Sequence, residues 1–130
     1  MSKTTKLILS ALLIGTFGMA SPALADWCMQ LGSPFSGDDG FFRFKGKLPK
    51  KAGKIKTLKG RVAGISPVYG TATVYKDGSG VEIGASFFVD AFFDHLNITF
   101  FGPNFTTGTG EAYGQSVDAT IVKCSGEPGD

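Results

Sequence analysis

The side chains able to do chemistry are few and poorly spaced for catalysis. One histidine, His95, is present, so neither an imidazole pair nor a three-histidine zinc site can form. Asp90, Asp94 and His95 cluster at a predicted turn, where solvated carboxylates are the ordinary outcome. No GxSxG elbow, Walker A loop or GxGxxG fingerprint occurs. Gly78-Ser79-Gly80 and Gly108-Thr109-Gly110 have no helix start behind them and read as turn glycines. The pattern therefore assigns no catalytic residue, no metal and no cofactor. The enzymatic reading left is a hydrolase using scattered carboxylates such as Asp90, Asp94, Glu111 and Asp118, since carboxylate pairs leave no local motif. Catalysis is disfavoured.

The cysteines carry a different message. Lys3 and Lys6 precede an uncharged run from Leu7 to Ala20, and Ala23-Leu24-Ala25 follows Pro22. That is a basic start, an apolar stretch too short to span a bilayer, and a small-x-small cleavage site. Residues 1–25 are thus expected to be a signal peptide and residues 26–130 a single β domain. The Ala-rich cleavage region points to a bacterial periplasm or the medium. In that compartment Cys28 and Cys124 are expected to form a disulfide. It would close a loop over nearly the whole domain, worth about 4–5 kcal/mol in the chain-entropy treatment.

Charge is balanced but segregated. Without Lys3 and Lys6, eleven basic side chains face eleven acidic ones, a net charge of zero that argues against nucleic acid. Yet Arg43, Lys45, Lys47, Lys50, Lys51, Lys54, Lys56, Lys59 and Arg61 form an acid-free stretch. Such lysines can simply protect sheet edges. They can also meet an anionic partner: a glycan, lipopolysaccharide or a membrane surface.

Phenylalanine is the other unusual feature. The doublets Phe41-Phe42, Phe87-Phe88, Phe92-Phe93 and Phe100-Phe101 put a ring on each face of a strand, because neighbouring strand residues point oppositely. Alternation gives Phe42 and Phe44, Phe87 and Phe100 to the apolar faces. It leaves Phe41, Phe88 and Phe101 on otherwise polar ones. If these three converge they form a binding surface. The alternative is a bulge that turns both rings of a doublet inward. Tyr69, Thr71, Thr73 and Tyr75 oppose Val68, Gly70, Ala72 and Val74, and the second set is expected to line the core.

The elements that position these groups are strands. Segments 27–31, 40–46, 54–65, 68–76, 80–92, 95–101, 105–113 and 116–124 are rich in Val, Ile, Thr, Tyr and Phe, and no segment has a helical period. Gly- or Pro-bearing breaks separate them, including Ser66-Pro67 and Gly114-Gln115, with Asp77-Gly78 the strongest hairpin signal. Short connections demand antiparallel neighbours. The end-to-end cysteines demand that the first and last strands meet. The expected fold is all-β: a small up-and-down barrel of about eight strands closed by the disulfide. A two-sheet β-sandwich is the alternative.

Three functions remain in order. The first is an exported, non-catalytic binding domain using a basic-aromatic surface of Phe41, Arg43, Lys45, Lys54, Lys56, Phe88 and Phe101. Its partner is an anionic one, another protein, or a second copy in a homo-oligomer. The second is a small-ligand carrier using the barrel interior. The third is the hydrolase above.

Overall fold

A computed structural model describes residues 26–89 and 91–126. The signal segment and its cleavage site lie outside the described residues. Eight antiparallel strands form a closed barrel in chain order: β1 Trp27–Leu31, β2 Phe41–Phe44, β3 Ile55–Val62, β4 Ser66–Val74, β5 Gly80–Val89, β6 Phe92–Phe101, β7 Thr107–Ala112 and β8 Gln115–Val122. Closure is made by β1 against β8, with Cys28 opposite Val122 and Leu31 opposite Ala119. The Cys28–Cys124 disulfide spans this seam, with Cα atoms 5.2 Å apart across 96 positions of sequence. It fits an oxidising compartment such as exported proteins reach.

Strand alternation builds the interior. Odd residues of β1, even residues of β2 and odd residues of β5 point inward and are buried, as are Leu96, Ile98 and Phe100. Val68, Ala72 and Val74 line the core, so Tyr69 and Tyr75 face outward. Six rings run along the axis in continuous contact: Trp27 on Phe44, then Phe42, Phe87, Tyr113 and Phe35, with successive centroids 4.5–6.3 Å apart. Small residues on other strands make room for them. A Cβ on Gly70 would collide with the carbonyl of Gly84, and one on Gly110 with that of Asn97. At these two points the neighbouring strands pack tightly and the sheet curves.

Two turns differ from expectation. The β3–β4 reversal is at Ala63 and Gly64, both with positive φ (53° and 80°), while Ser66 and Pro67 belong to β4. Likewise Tyr113 and Gly114 (54° and 72°) turn β7 into β8. At Tyr113-Gly114, between the paired Ala112 and Gln115, positive φ at both central residues matches the twist of a two-residue hairpin, whereas the β3–β4 loop holds a third residue, Ile65. At Ser66-Pro67 the sequence signal marked a proline that lies just past the turn. At β4–β5 the Asp77-Gly78 signal holds: Gly78 donates its N–H to Tyr75 O, and Asp77 accepts from Ser79.

Candidate functional site

Because the strands alternate in direction, the connections sort onto two ends. One end carries 45–54, 75–79 and 102–106 together with Asp26 and Cys124. The other carries 32–40, 63–65, Ala91 and 113–114. The second set contains no Lys or Arg, whereas 45–54 alone contains five lysines.

The 45–54 connection is a folded loop. Gly46 and Gly53 take φ of 82° and 79°, which lets it reverse twice. Lys45 N–H donates to Lys59 O, Lys54 N–H to Lys51 O, and Gly53 N–H to Tyr75 O. Lys56 Nζ donates to Lys47 O at 2.7 Å. Leu48 turns inward onto the core. The outer side is a hollow of about 560 Å³ ringed by Lys47, Lys50, Lys51, Lys54 and Lys56, with Leu48, Pro49 and Ile55 between them. No acid lines it. Ile55 is largely exposed, so the rim combines ammonium groups with uncovered apolar surface.

The seven residues expected to form one surface are placed as follows. Lys45 and Lys54 are exposed, and Lys56 is half-buried against the loop it braces. Arg43 is half-buried and bound to Asp26, Nε to Oδ2 2.7 Å. Phe41 is only 3% exposed, which corrects its assignment to a solvent-facing side. Its cross-strand partner Gln30 explains why. Gln30 Nε2 lies 3.2–3.3 Å from the carbonyl oxygens of Leu31, Phe35 and Gly37, drawing segment 32–40 back along the wall beside the ring. Phe88 and Phe101 are both 51% exposed, yet they do not converge. Phe88 pairs with Phe93, and Phe101 with Gly80, at opposite ends of the β5–β6 ladder, about 26 Å apart at 3.3 Å per residue. Phe101 therefore stands at the lysine end and Phe88 at the other, so the expected surface is not one patch.

The end without lysines holds an aromatic cluster that the sequence reading missed. Phe92 is 74% exposed, Phe93 lies 6.1 Å from Phe88 centroid to centroid, and Ile65 stands out on the β3–β4 turn. The expected strand limits of 80–92 and 95–101 put the turn three residues too late. Extending the inward set Leu96, Ile98 and Phe100 backwards makes Asp94 face in and Phe93 face out, so the signal was present in the alternation.

The carboxylates are dispersed. Asp94 Oδ1 accepts from His95 N–H at 2.8 Å. Glu111 and Asp118 lie exposed on β7 and β8, beside a shallow hollow also lined by Thr109 and Ser116. Asp90 lies outside the described residues. Among the described residues, no three His, Cys, Asp or Glu side chains are grouped to hold a metal. No protein-family model matches this chain, and neither a curated protein nor a solved structure matches it.

Proposed function

We propose that this is a non-catalytic binding domain whose lysine-rich end engages an anionic amphiphile, an acidic lipid headgroup or lipopolysaccharide. The observation that carries this reading is the hollow of five lysines around Leu48, Pro49 and Ile55. Ammonium groups meet phosphate or carboxylate there, while the apolar residues between them accept the ligand's hydrocarbon. The ring column along the axis supports external binding over carriage inside the barrel. The disulfide supports an exported domain, in the periplasm or medium, where such surfaces are found.

Cosedimentation of the domain with vesicles of anionic and of zwitterionic lipid, at low and high salt, tests it. Binding should require the anionic lipid and weaken with salt, because screening acts within about 8–10 Å at physiological ionic strength. Lys54→Glu, at an exposed position, should reduce binding without altering the melting temperature. Equal binding to zwitterionic vesicles would refute the electrostatic part of the proposal.

A further inference from the structure

The exposed apolar side chains are not scattered evenly over the barrel. Ile65, Tyr69, Phe88, Phe92 and Phe93 gather towards the lysine-free ends of β4, β5 and β6. Strand register sets them next to one another. Phe88 is opposite Phe93, with ring centroids 6.1 Å apart, and Phe92 follows at the turn. Tyr69 is opposite Ser86, hence diagonal to Phe88 on the same face and within reach of its ring. One more step of the β4–β5 register beyond Val68 and Phe87 brings the exposed Pro67 beside Phe88, and Ile65 stands just past it. The hairpin that carries the rings also protrudes. β5 and β6 stay paired as far as Val89 and Phe92, whereas β6 parts from β7 at Leu96 and Ala112. Residues 92–95 of β6 thus extend about 13 Å beyond the last β6–β7 pair, at about 3.3 Å per residue.

The size of this patch indicates what covers it. Phe88, Phe92, Phe93 and Tyr69 are 51%, 74%, 68% and 58% exposed, and Ile65 is 88% exposed. At about 150–250 Å² for each aromatic side chain, the group offers roughly 600 Å² of apolar surface. That is the upper limit for the largest patch on an ordinary monomer, about 300–600 Å². A homodimer interface of standard size takes about 800 Å² from each copy and is about 65% apolar, which amounts to about 500 Å² of apolar surface. The patch meets that requirement by itself. Ile65, Pro67, Tyr69, Phe88, Phe92 and Phe93 include no charged residue, and Asp94 points to the opposite face of β6 from Phe93. Two such patches can therefore meet like to like without burying an unpaired charge.

We infer that the domain forms a two-fold symmetric homodimer through this patch, with Phe88 and Phe93 of one copy packed against the same patch of the other. A self-complementary contact of this kind joins two copies and stops, so it does not propagate into fibres. None of its residues lines the lysine hollow, and the inference is independent of the anionic-surface reading. An apolar contact of this size gives a dissociation constant of about 1–100 μM, so dilute protein is monomeric.

Sedimentation equilibrium of the folded domain over about 1–500 μM tests it. The average mass should rise towards twice that of the monomer, and molar salt should not reverse the rise, because apolar contact is not screened. Phe93→Glu should weaken association by at least about tenfold while leaving the melting temperature of dilute protein unchanged. Lys54→Glu, at the far end, should leave association within about twofold. In the unsubstituted domain, dilution should move the amide resonances of Tyr69, Phe88 and Phe93 and leave that of Lys54 in place. A monomer throughout that concentration range overturns the inference, as does a dimer that salt dissociates or that Phe93→Glu leaves intact. A monomer that binds zwitterionic vesicles through Phe93 also overturns it, since the patch is then a membrane contact. Because Lys54→Glu probes the lysine hollow and Phe93→Glu the tip, either reading can fail without the other.

Discussion

The two ends of the barrel are built from the same strands and differ in what their connections can do. At the lysine end the 45–54 loop folds over the mouth, hydrogen-bonds to β3 and β4, and buries Leu48. A loop of that length makes concave surface, and the lysine-ringed hollow lies against it. At the opposite end the 32–40 connection is tied back to Gln30, whereas Ala63–Ile65 reverses the chain in three residues and Tyr113-Gly114 in two. Turns that tight leave no backbone with which to enclose anything, so Ile65, Phe92 and Phe93 simply project. Apolar exposure at one end is framed by charge and shaped; at the other it is a bare tip. Concavity here follows from connection length more than from residue type.

The largest expected effect distinguishes aromatic side chains that seem alike in the sequence. Phe41 and Phe88 are each the polar-face member of a doublet. Phe41 is buried, so Phe41→Ser should cost about 3–5 kcal/mol, as for other buried Phe truncations. Phe88 is half exposed at the bare tip, and Phe88→Ser should cost about 0.5 kcal/mol or less. Urea unfolding of the two variants measures both. Similar losses would mean that the tip is packed as well as the wall, and the contrast between the ends would fail.

Next in size is the disulfide, which ties the chain termini together at the lysine end. The double Cys28→Ala, Cys124→Ala variant should lose about 2–5 kcal/mol and keep its β-type circular dichroism at low temperature, because the β1–β8 ladder continues through Met29, Gln30 and Leu31. If the bond is what steadies this end, hydrogen exchange in the variant should rise at Trp27 and Val122 before it rises at Phe87 or Leu96. A loss below about half a kcal/mol would remove the bond from the account of closure.

Much of this architecture was legible in the sequence. Periods of two located every strand to within a few residues, and the cysteines named the pair of strands that had to meet. The interior was legible as a preference: the small and apolar Val68, Ala72 and Val74 favoured that face as the inside over a polar lumen of Tyr69 and Tyr75, and they are the buried set. What escaped was set by non-local contacts. Nothing near Phe41 announces that Gln30 will pull segment 32–40 alongside it. Nothing near Arg43 announces Asp26, seventeen positions earlier. Strand order also decided that Phe88 and Phe101 stand at opposite ends. The lysine-rich segment was legible as charge, but its hollow depends on how Gly46 and Gly53 fold the loop.

The smallest expected effect is an acid at the lysine end. Asp77 lies in the β4–β5 turn, and its Oδ1 accepts from Ser79 Oγ at 2.7 Å and Ser79 N–H at 2.9 Å. These bonds favour the ionised carboxyl, the side-chain one most, and hold its pKa below the ordinary carboxylate value. A depressed folded-state pKa contributes stability above the unfolded-state value, near 4, and that contribution is lost as pH falls through the folded value. Ser79→Ala removes the larger bond, so wild type should melt slightly higher than the variant at neutral pH. The gap should close as the solution is acidified below about pH 4. Both groups are exposed, so the gap is small at every pH. A gap that stays constant on acidification would show that Ser79 acts on the turn's backbone alone. Asp77 would then be an ordinary surface carboxylate beside the lysines.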